Sequence, residues 1–175
     1  MTSVHLHYLR VGQCQHLECV AARGGRMKLI EFPSFCGLIR HSNAGWILFD
    51  TGYADHFFQA TQKLPEKLYR LALPVKLSDE EKLLAQLQSL GINAADINWV
   101  IISHYHGDHI AGLRDFSNAR FVASKKDTED IQALLKKKWR ATLQGILPGL
   151  LPENYFQQLT FAEDLLERQL PDWMQ

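Results

Sequence analysis

The segment Ser103-His104-Tyr105-His106-Gly107-Asp108-His109 gathers three of the chain's eight histidines and an aspartate, directly after the apolar run Trp99-Val100-Ile101-Ile102. Imidazole nitrogen and carboxylate oxygen are donors that zinc, iron and manganese accept. In extended backbone, residues two apart point the same way, so His104 and His106 can grip one ion as a pair. Past His106 the chain must turn, and Gly107 allows the turn without steric cost. Asp108 and His109 then face a neighbouring position, where a second ion could sit. A carboxylate beside an imidazole suits an ion that must hold a reactive water. Two ions ~3.5–4 Å apart would share a hydroxide that is nucleophilic at neutral pH. Sulfur is absent from the cluster, which favours an open catalytic site over a closed structural one.

An apolar strand has to deliver these groups, and residues 99–103 supply it. Before it, Ser78-Asp79-Glu80-Glu81 reads as a capping box opening a helix that runs to about Leu90, where Gly91 ends it. Leu83, Leu84, Leu87 and Leu90, spaced by three and four, predict one face that docks on a sheet. Helix, strand, ligand loop is an α/β order, and sites in such sheets lie at the C-terminal ends of the strands. The front third reads as strand throughout. Residues 3–11 form the first, ending near Gly12, and 27–32 the second, after the Gly24-Gly25 turn. Residues 36–40 and 46–49 follow, joined by a turn at 42–45. Beyond the cluster, 110–113 should start a short helix and 120–123 a strand. Residues 127–138 read as a helix with acids first and lysines last, as the helix dipole prefers. Residues 147–152 break regular structure and 154–175 are mixed, with no internal repeat. Tyr53, Phe57, Phe58 and Tyr69 either wall a pocket or pack the core.

A second element lies upstream: Gly45-Trp46-Ile47-Leu48-Phe49-Asp50-Thr51-Gly52, a strand running into D-T-G. Together, D-T-G and the later H-x-H-x-D-H resemble the signature of the metallo-β-lactamase-fold hydrolase superfamily. The resemblance implies an α/β fold, the metallo-β-lactamase-like αββα sandwich, here incomplete: an N-terminal portion with the second half largely missing. It implies that His104 and His106 bind a first metal, Asp108 and His109 a second, and that Asp50 braces a ligand histidine or a metal-bound water from behind. Such outer bonds fix the tautomer and orientation of ligands. By family analogy the hydroxide attacks the carbonyl of an ester, lactone, thioester or amide and the metals stabilise the oxyanion. Asp108 is then the catalytic carboxylate that steers a proton to the leaving group. Zinc is the expected metal, two ions in the complete domain, with iron or manganese as alternatives. A histidine at position 109 is typical of lactonase-like, glyoxalase-II-like and RNA-processing members, and His106 argues against the flavodiiron branch, which carries glutamate there.

Residues 1–175 read as a single metallo-hydrolase domain, truncated at the C-terminus. The resemblance covers nearly the whole chain, but the chain covers only about the first two-thirds of the family's domain. Family members add a later histidine in a G-H-T or G-H-S turn, a bridging aspartate and a last histidine. No histidine follows His109 here, and Asp164 and Asp172 lie in no such context. A half-sandwich should expose its inner sheet face, which a homodimer could cover. Two other readings stand beside the hydrolase: a non-catalytic scaffold with weak or no metal binding, and a mononuclear iron oxygenase of the same fold.

Bulk properties narrow the partners. Formal net charge is zero, without the basic stripe of a nucleic-acid enzyme. The one cluster, Lys136-Lys137-Lys138 with Trp139 and Arg140, reads as a solvated helix end. Cys14, Cys19 and Cys36 are odd in number and form no C-x-x-C pair, which fits a reducing cytoplasm. No secretory signal and no run of ~18 apolar residues is visible, so no membrane partner is expected. What remains is a small-molecule substrate, and the neutral charge and aromatic 53–77 region favour a lactone or small ester; the substrate-binding residues are not legible. His56 reads as a pocket or surface residue, and His5 and His7 as one exposed strand face.

Overall fold

The computed structural model describes residues 4–169. Strand β1 (Val4–Leu17) and the short helix α1 (Glu18–Ala21) lead into β2 (Leu29–His41) and β3 (Gly45–Phe49). Helices α2 (Asp55–Ala60) and α3 (Glu66–Ala72), strand β4 (Val75–Lys76) and helix α4 (Leu83–Ser89) follow. Then come β5 (Ile97–Ile101), α5 (Gly107–Ile110), β6 (Arg120–Ala123), α6 (Lys125–Leu134) and α7 (Lys138–Leu143). Helix α8 (Tyr155–Gln158), β7 (Leu159–Phe161) and α9 (Ala162–Gln169) complete the order.

The strands form one mixed sheet in the order β4-β1-β2-β3-β5-β6-β7. The front strands pair antiparallel, and β3, β5, β6 and β7 run parallel. Alternation divides the sheet into two unlike faces. One carries Cys36, Leu38, Leu48, Val100 and Phe121, all buried at the centre of the core. The other carries Leu6, Tyr8, Phe35 and Phe49, between 42% and 75% exposed. Tyr8, Gly37 and Phe49 stand in one cross-strand row on that open face. This is the bare sheet surface expected of half a sandwich.

Several elements differ in extent from their sequence expectation. The first strand does not stop at Gly12 but runs on to Leu17, absorbing a register shift between Arg10 and Gln13. The two runs around Pro33 are one strand, β2. Pro33 pairs with Gln13 of β1, while β3 joins β2 only from Gly37 onward, so the missing N–H interrupts no ladder on its other side. Helix α4 starts at Leu83 rather than at the capping box. Ser78 N donates to Glu81 Oε2 at 3.2 Å, half of the box, but residues 78–82 form turns, and Lys82 is drawn to Asp79 and Asp55 at 2.9 and 3.0 Å. Its docking face is narrower too: Leu83 and Leu87 are buried, while Leu84 and Leu90 are exposed. The helix expected over 127–138 ends at Leu134 and a new one, α7, begins at Lys138. Strand β7, three residues long, is too short to carry a legible period. The expectation for Asp172 lies outside the described residues.

Candidate metal centre

The last pair of the parallel β3–β5 ladder is Phe49 with Ile101, so the next residues on each strand, Asp50 and then Ser103, emerge side by side. Asp50 sits at φ 61°, a left-handed conformation that aspartate tolerates better than most residues. This turn drives its side chain into the interior, where it is 2% exposed. Its carboxylate is fully engaged. Oδ1 accepts from Ser103 N at 2.8 Å, and Oδ2 accepts from Ser103 Oγ and from His109 Nδ1, both at 2.7 Å.

Thr51 adds a second tie. Its N–H and its Oγ1 both donate to the His109 carbonyl, at 2.8 and 2.9 Å, and Oγ1 accepts from Gly112 N at 3.0 Å. Gly52 (φ 66°) lets the chain pass Val11 so closely that a Cβ would stand 2.4 Å from the Val11 Cβ. Ser34 Oγ holds the Asp108 carbonyl at 2.7 Å. The D-T-G turn is therefore bolted to helix α5 along its length.

Alternation through Ser103–His106 sends His104 and His106 one way and Tyr105 the other. The Tyr105 hydroxyl lies buried, 2.6 Å from that of Tyr155 and 2.8 Å from Thr128 Oγ1. Sequence reasoning passed over this anchor, although an aromatic residue between two histidines on an extended segment has to face the opposite side. Gly107 does not serve as a turn of unusual backbone, as expected. It opens α5, and its small size matters instead: a Cβ would press on Leu147 Cδ1 at 3.2 Å and on the Phe57 ring at 3.4 Å.

On the other side the three imidazoles meet. The ring centres of His104 and His106 lie 4.6 Å apart, and those of His104 and His109 only 4.0 Å. The motif thus forms one cluster around His104, where the spacing had suggested two separate pairs. His109 Nε2 is 3.3 Å from Asp108 Oδ2. Burial works against a charged His109 ring, but the hydrogen bonds to Asp108 and Asp50 outweigh it and push its pKa up to about 9. Burial, then the neighbouring His109 and His106, lowers that of His104. Burial opposes ionisation of Asp108, yet the His109 bond prevails and its pKa is lowered.

The donor chemistry fits a divalent ion. Two tetrahedral zinc ligands at ~2.1 Å from the ion stand about 3.4 Å apart, which is the spacing of Asp108 Oδ2 and His109 Nε2. Asp50 accepts a hydrogen bond from His109 Nδ1 at 2.7 Å, so the ring is already oriented for a metal that would replace the proton on Nε2. Among the described residues, however, no set of three or more His, Cys, Asp or Glu side chains is disposed to hold an ion as it stands. The donors are gathered but not converged.

His104 and His106 open on a cavity of about 350 Å³ whose other walls include Asp127, Asp130, Ile131 and Leu134 of α6 and Gln144 and Ile146 beyond α7. These residues were missed; their spacing of three and four on α6 marks one helix face and was legible. The aromatic residues 53–69 do not line this cavity. Tyr53 and Phe57 are buried core residues in edge-on contact at 5.1 Å. His56 stands apart from the cluster, bonded through Nε2 to Asp115 at 2.8 Å. His5 and His7 are exposed on β1.

Residues 29–168 match the Metallo-beta-lactamase superfamily, and the chain belongs to this family. Among curated relatives, an N-acyl homoserine lactonase of Bacillus cereus is 25% identical over 133 residues, covering 75% of this chain and 53% of the relative. The N-acyl homoserine lactonase AttM of Azorhizobium caulinodans is 34% identical over 74% of this chain and 49% of its own length. An N-acyl homoserine lactone hydrolase, solved with N-hexanoyl-L-homoserine at its catalytic metal center, superimposes with a TM-score of 0.65 at 21% identity, over 90% of this chain and 58% of that one. AidC, a dizinc quorum-quenching lactonase, gives a TM-score of 0.57 at 23% identity. The chain spans about half the length of the curated relatives it matches, a smaller share than the two-thirds expected.

Proposed function

We propose that this chain carries the first part of the metal centre of a lactone- or ester-opening hydrolase, with zinc held by His104, His106, Asp108 and His109. The observation that carries the reading is the brace: a buried Asp50 that fixes His109 through Nδ1, beside two further imidazoles at the C-terminal ends of parallel strands. The similarity to lactonases supports the substrate class. A bound zinc supplies a water acidic enough to be a nucleophile near pH ~7 and polarises the carbonyl under attack.

The chain's own residues do the rest. Asp50 holds the His109 tautomer, and Ser103 shares its hydroxyl between Asp50 and His104 Nδ1, the latter at 3.0 Å. Asp108, kept ionised, would take a proton from the attacking water and hand it on to the leaving alkoxide. Ile131, Leu134 and Ile146 give the apolar part of a substrate a wall beside His104 and His106. The relatives are about twice as long as the stretch they share with this chain, which leaves room there for further donors.

Metal content after purification tests this. Near-stoichiometric zinc, lost in His106→Ala with circular dichroism unchanged, together with opening of a lactone panel, is the expected result. A folded protein that takes up no added zinc overturns it. That outcome would favour the non-catalytic scaffold, the reading supported by donors that do not converge. Iron with oxygen uptake would identify the oxygenase.

A further inference from the structure

Helices α3 and α7 share a groove of about 340 Å³ lined by Leu68, Tyr69, Leu73, Trp139 and Leu143. Its rim is apolar and bare. Leu143 is 85% exposed, Leu71 64%, Leu64 60%, Trp139 59% and Leu68 49%. Leu68 and Leu71 of α3 are three apart, with Leu64 just before the helix, and Trp139 and Leu143 of α7 are four apart, so each helix turns one stripe outward. Four large apolar side chains standing proud on adjacent helices, with Leu64 just before α3, make a patch of the kind that marks an interaction site.

The collar around them is basic. Lys63 and Lys67, next to the α3 stripe in sequence, and Lys136, Lys137, Lys138 and Arg140, just before and within α7, are exposed, with Arg70 half-buried; Lys137 and Arg140 line an adjoining groove with Asp130 of α6. Among the described residues none of these cations forms an ion pair. The only carboxylate of α3, Glu66, is buried. In a chain of zero formal net charge, this is local segregation of positive charge around an apolar surface.

We infer that the α3–α7 face docks the protein on an anionic lipid surface. Leucine and tryptophan side chains would enter the boundary between headgroups and acyl chains while the lysine and arginine heads meet the lipid phosphates and carboxylates. No helix among the described residues is long and apolar enough to cross a membrane, so the contact is peripheral. The expectation of no membrane partner rested on the absence of a spanning run and did not address a surface of this kind. Helix α7 also leads straight from this face to Gln144 and Ile146 in the wall of the His104–His106 cavity. The inference does not depend on the metal centre.

Sedimentation of the 175-residue chain with vesicles tests it. At ~0.1 M salt, vesicles of phosphatidylcholine with about 30% phosphatidylserine should carry the protein down, pure phosphatidylcholine should not, and raising salt to about 0.5 M should release it. Each lysine removed should weaken partitioning about fivefold, so Lys136→Gln/Lys137→Gln/Lys138→Gln lowers it about a hundredfold. Leu71→Ser/Leu143→Ser should weaken it as well, with circular dichroism and metal content unchanged, since both positions are exposed. Equal binding to neutral vesicles, or wild-type binding by the lysine variant, overturns the inference. So does self-association in solution that Leu143→Ser abolishes while vesicles capture nothing, because a second copy is then the occupant.

Discussion

Replacing Asp50 with asparagine changes one atom at the point where both motifs meet, and its consequences can be worked from the hydrogen bonds. Asparagine accepts φ 61° as readily as aspartate does, so the backbone need not move. Its carbonyl oxygen must stay on Ser103 N, the 2.8 Å bond to a donor with no other partner. The amide nitrogen then faces Ser103 Oγ and His109 Nδ1, where Oδ2 now accepts from both at 2.7 Å. Two donors cannot share one contact. His109 therefore gives up its Nδ1 proton, accepts from the amide, and carries the proton on Nε2, which points at Asp108 Oδ2. In the wild type the ring can give up its Nε2 proton to a metal and keep the Nδ1 bond to Asp50, whereas in the variant it could free Nε2 only by returning the proton to Nδ1, against the amide.

The fold should survive, at a cost of about 1–3 kcal/mol for weakened bonds to a charged group; that is roughly 2–4 °C of melting temperature per kcal/mol at this size. Zinc affinity should fall by at least ~10–100-fold, the usual cost of removing an outer partner, with the tautomer change pushing toward the upper end. Competition against a chromophoric chelator measures the affinity and circular dichroism the fold. A folded Asp50→Asn variant whose zinc affinity lies within about threefold of wild type would refute the tautomer argument. The His109 ring offers a metal-free readout: held up at about 9 by two carboxylates, its titration followed by NMR should move down when one of them loses its charge.

Thr51→Val leaves Gly112 N unpaired and removes the bond from Oγ1 to the His109 carbonyl; a loss of about 1–3 kcal/mol in urea denaturation is expected, with Thr51→Ser close to wild type. Tyr155→Phe removes the 2.6 Å bond to Tyr105 but leaves that hydroxyl on Thr128, so it should cost only ~0.5–1.5 kcal/mol, and a larger loss would mean the network holds more of the loop than its geometry suggests. Gly52→Ala meets both a positive φ and Val11; it should destabilise by several kcal/mol, on the order of ~3, and a melting temperature equal to wild type would contradict the packing. Leu134→Trp narrows the cavity beside His104, so KM should rise about tenfold for long-chain lactones and little for short ones, with zinc content unchanged; an equal rise for both would place the acyl group elsewhere.

The parts of this molecule that were legible in the sequence are those set by local pattern. The strand before His104, the D-T-G turn and the imidazole cluster follow from alternation and spacing, and Asp50 reaches the cluster because two parallel strands end in register. What pattern missed was tertiary. The runs on either side of Pro33 read as two strands until it is known that β3 pairs only beyond it, and Lys136 to Lys138 read as the end of one helix although Lys138 opens a second. The aromatic residues after Asp50 left wall and core both open; Tyr53 and Phe57 went to the core, and aliphatic residues of α6 and α7's exit took the wall. An apolar residue at helical spacing carries no mark of which cavity it will face.

The centre itself divides along a physical line. Every bond that fixes the loop's backbone comes from a residue this chain supplies, and each is satisfied: Asp50 on Ser103, Thr51 on His109 and Gly112, Ser34 on Asp108, Tyr105 on Tyr155. Of the three imidazoles, only His109 is held as firmly, by Asp50 at Nδ1. His106 is exposed, His104 leans on its neighbours, and the charge gathered on His109 disfavours a second charge on His104. Backbone placement limits where the donors can reach, and their final convergence is a matter of side-chain rotation at an open cavity. The brace stabilises the loop by itself, and it also leaves His109 oriented beside two imidazoles that have no comparable tie. It is the asymmetry between a locked frame and loose donors, more than the donors themselves, that argues for a ligand at this end of the sheet.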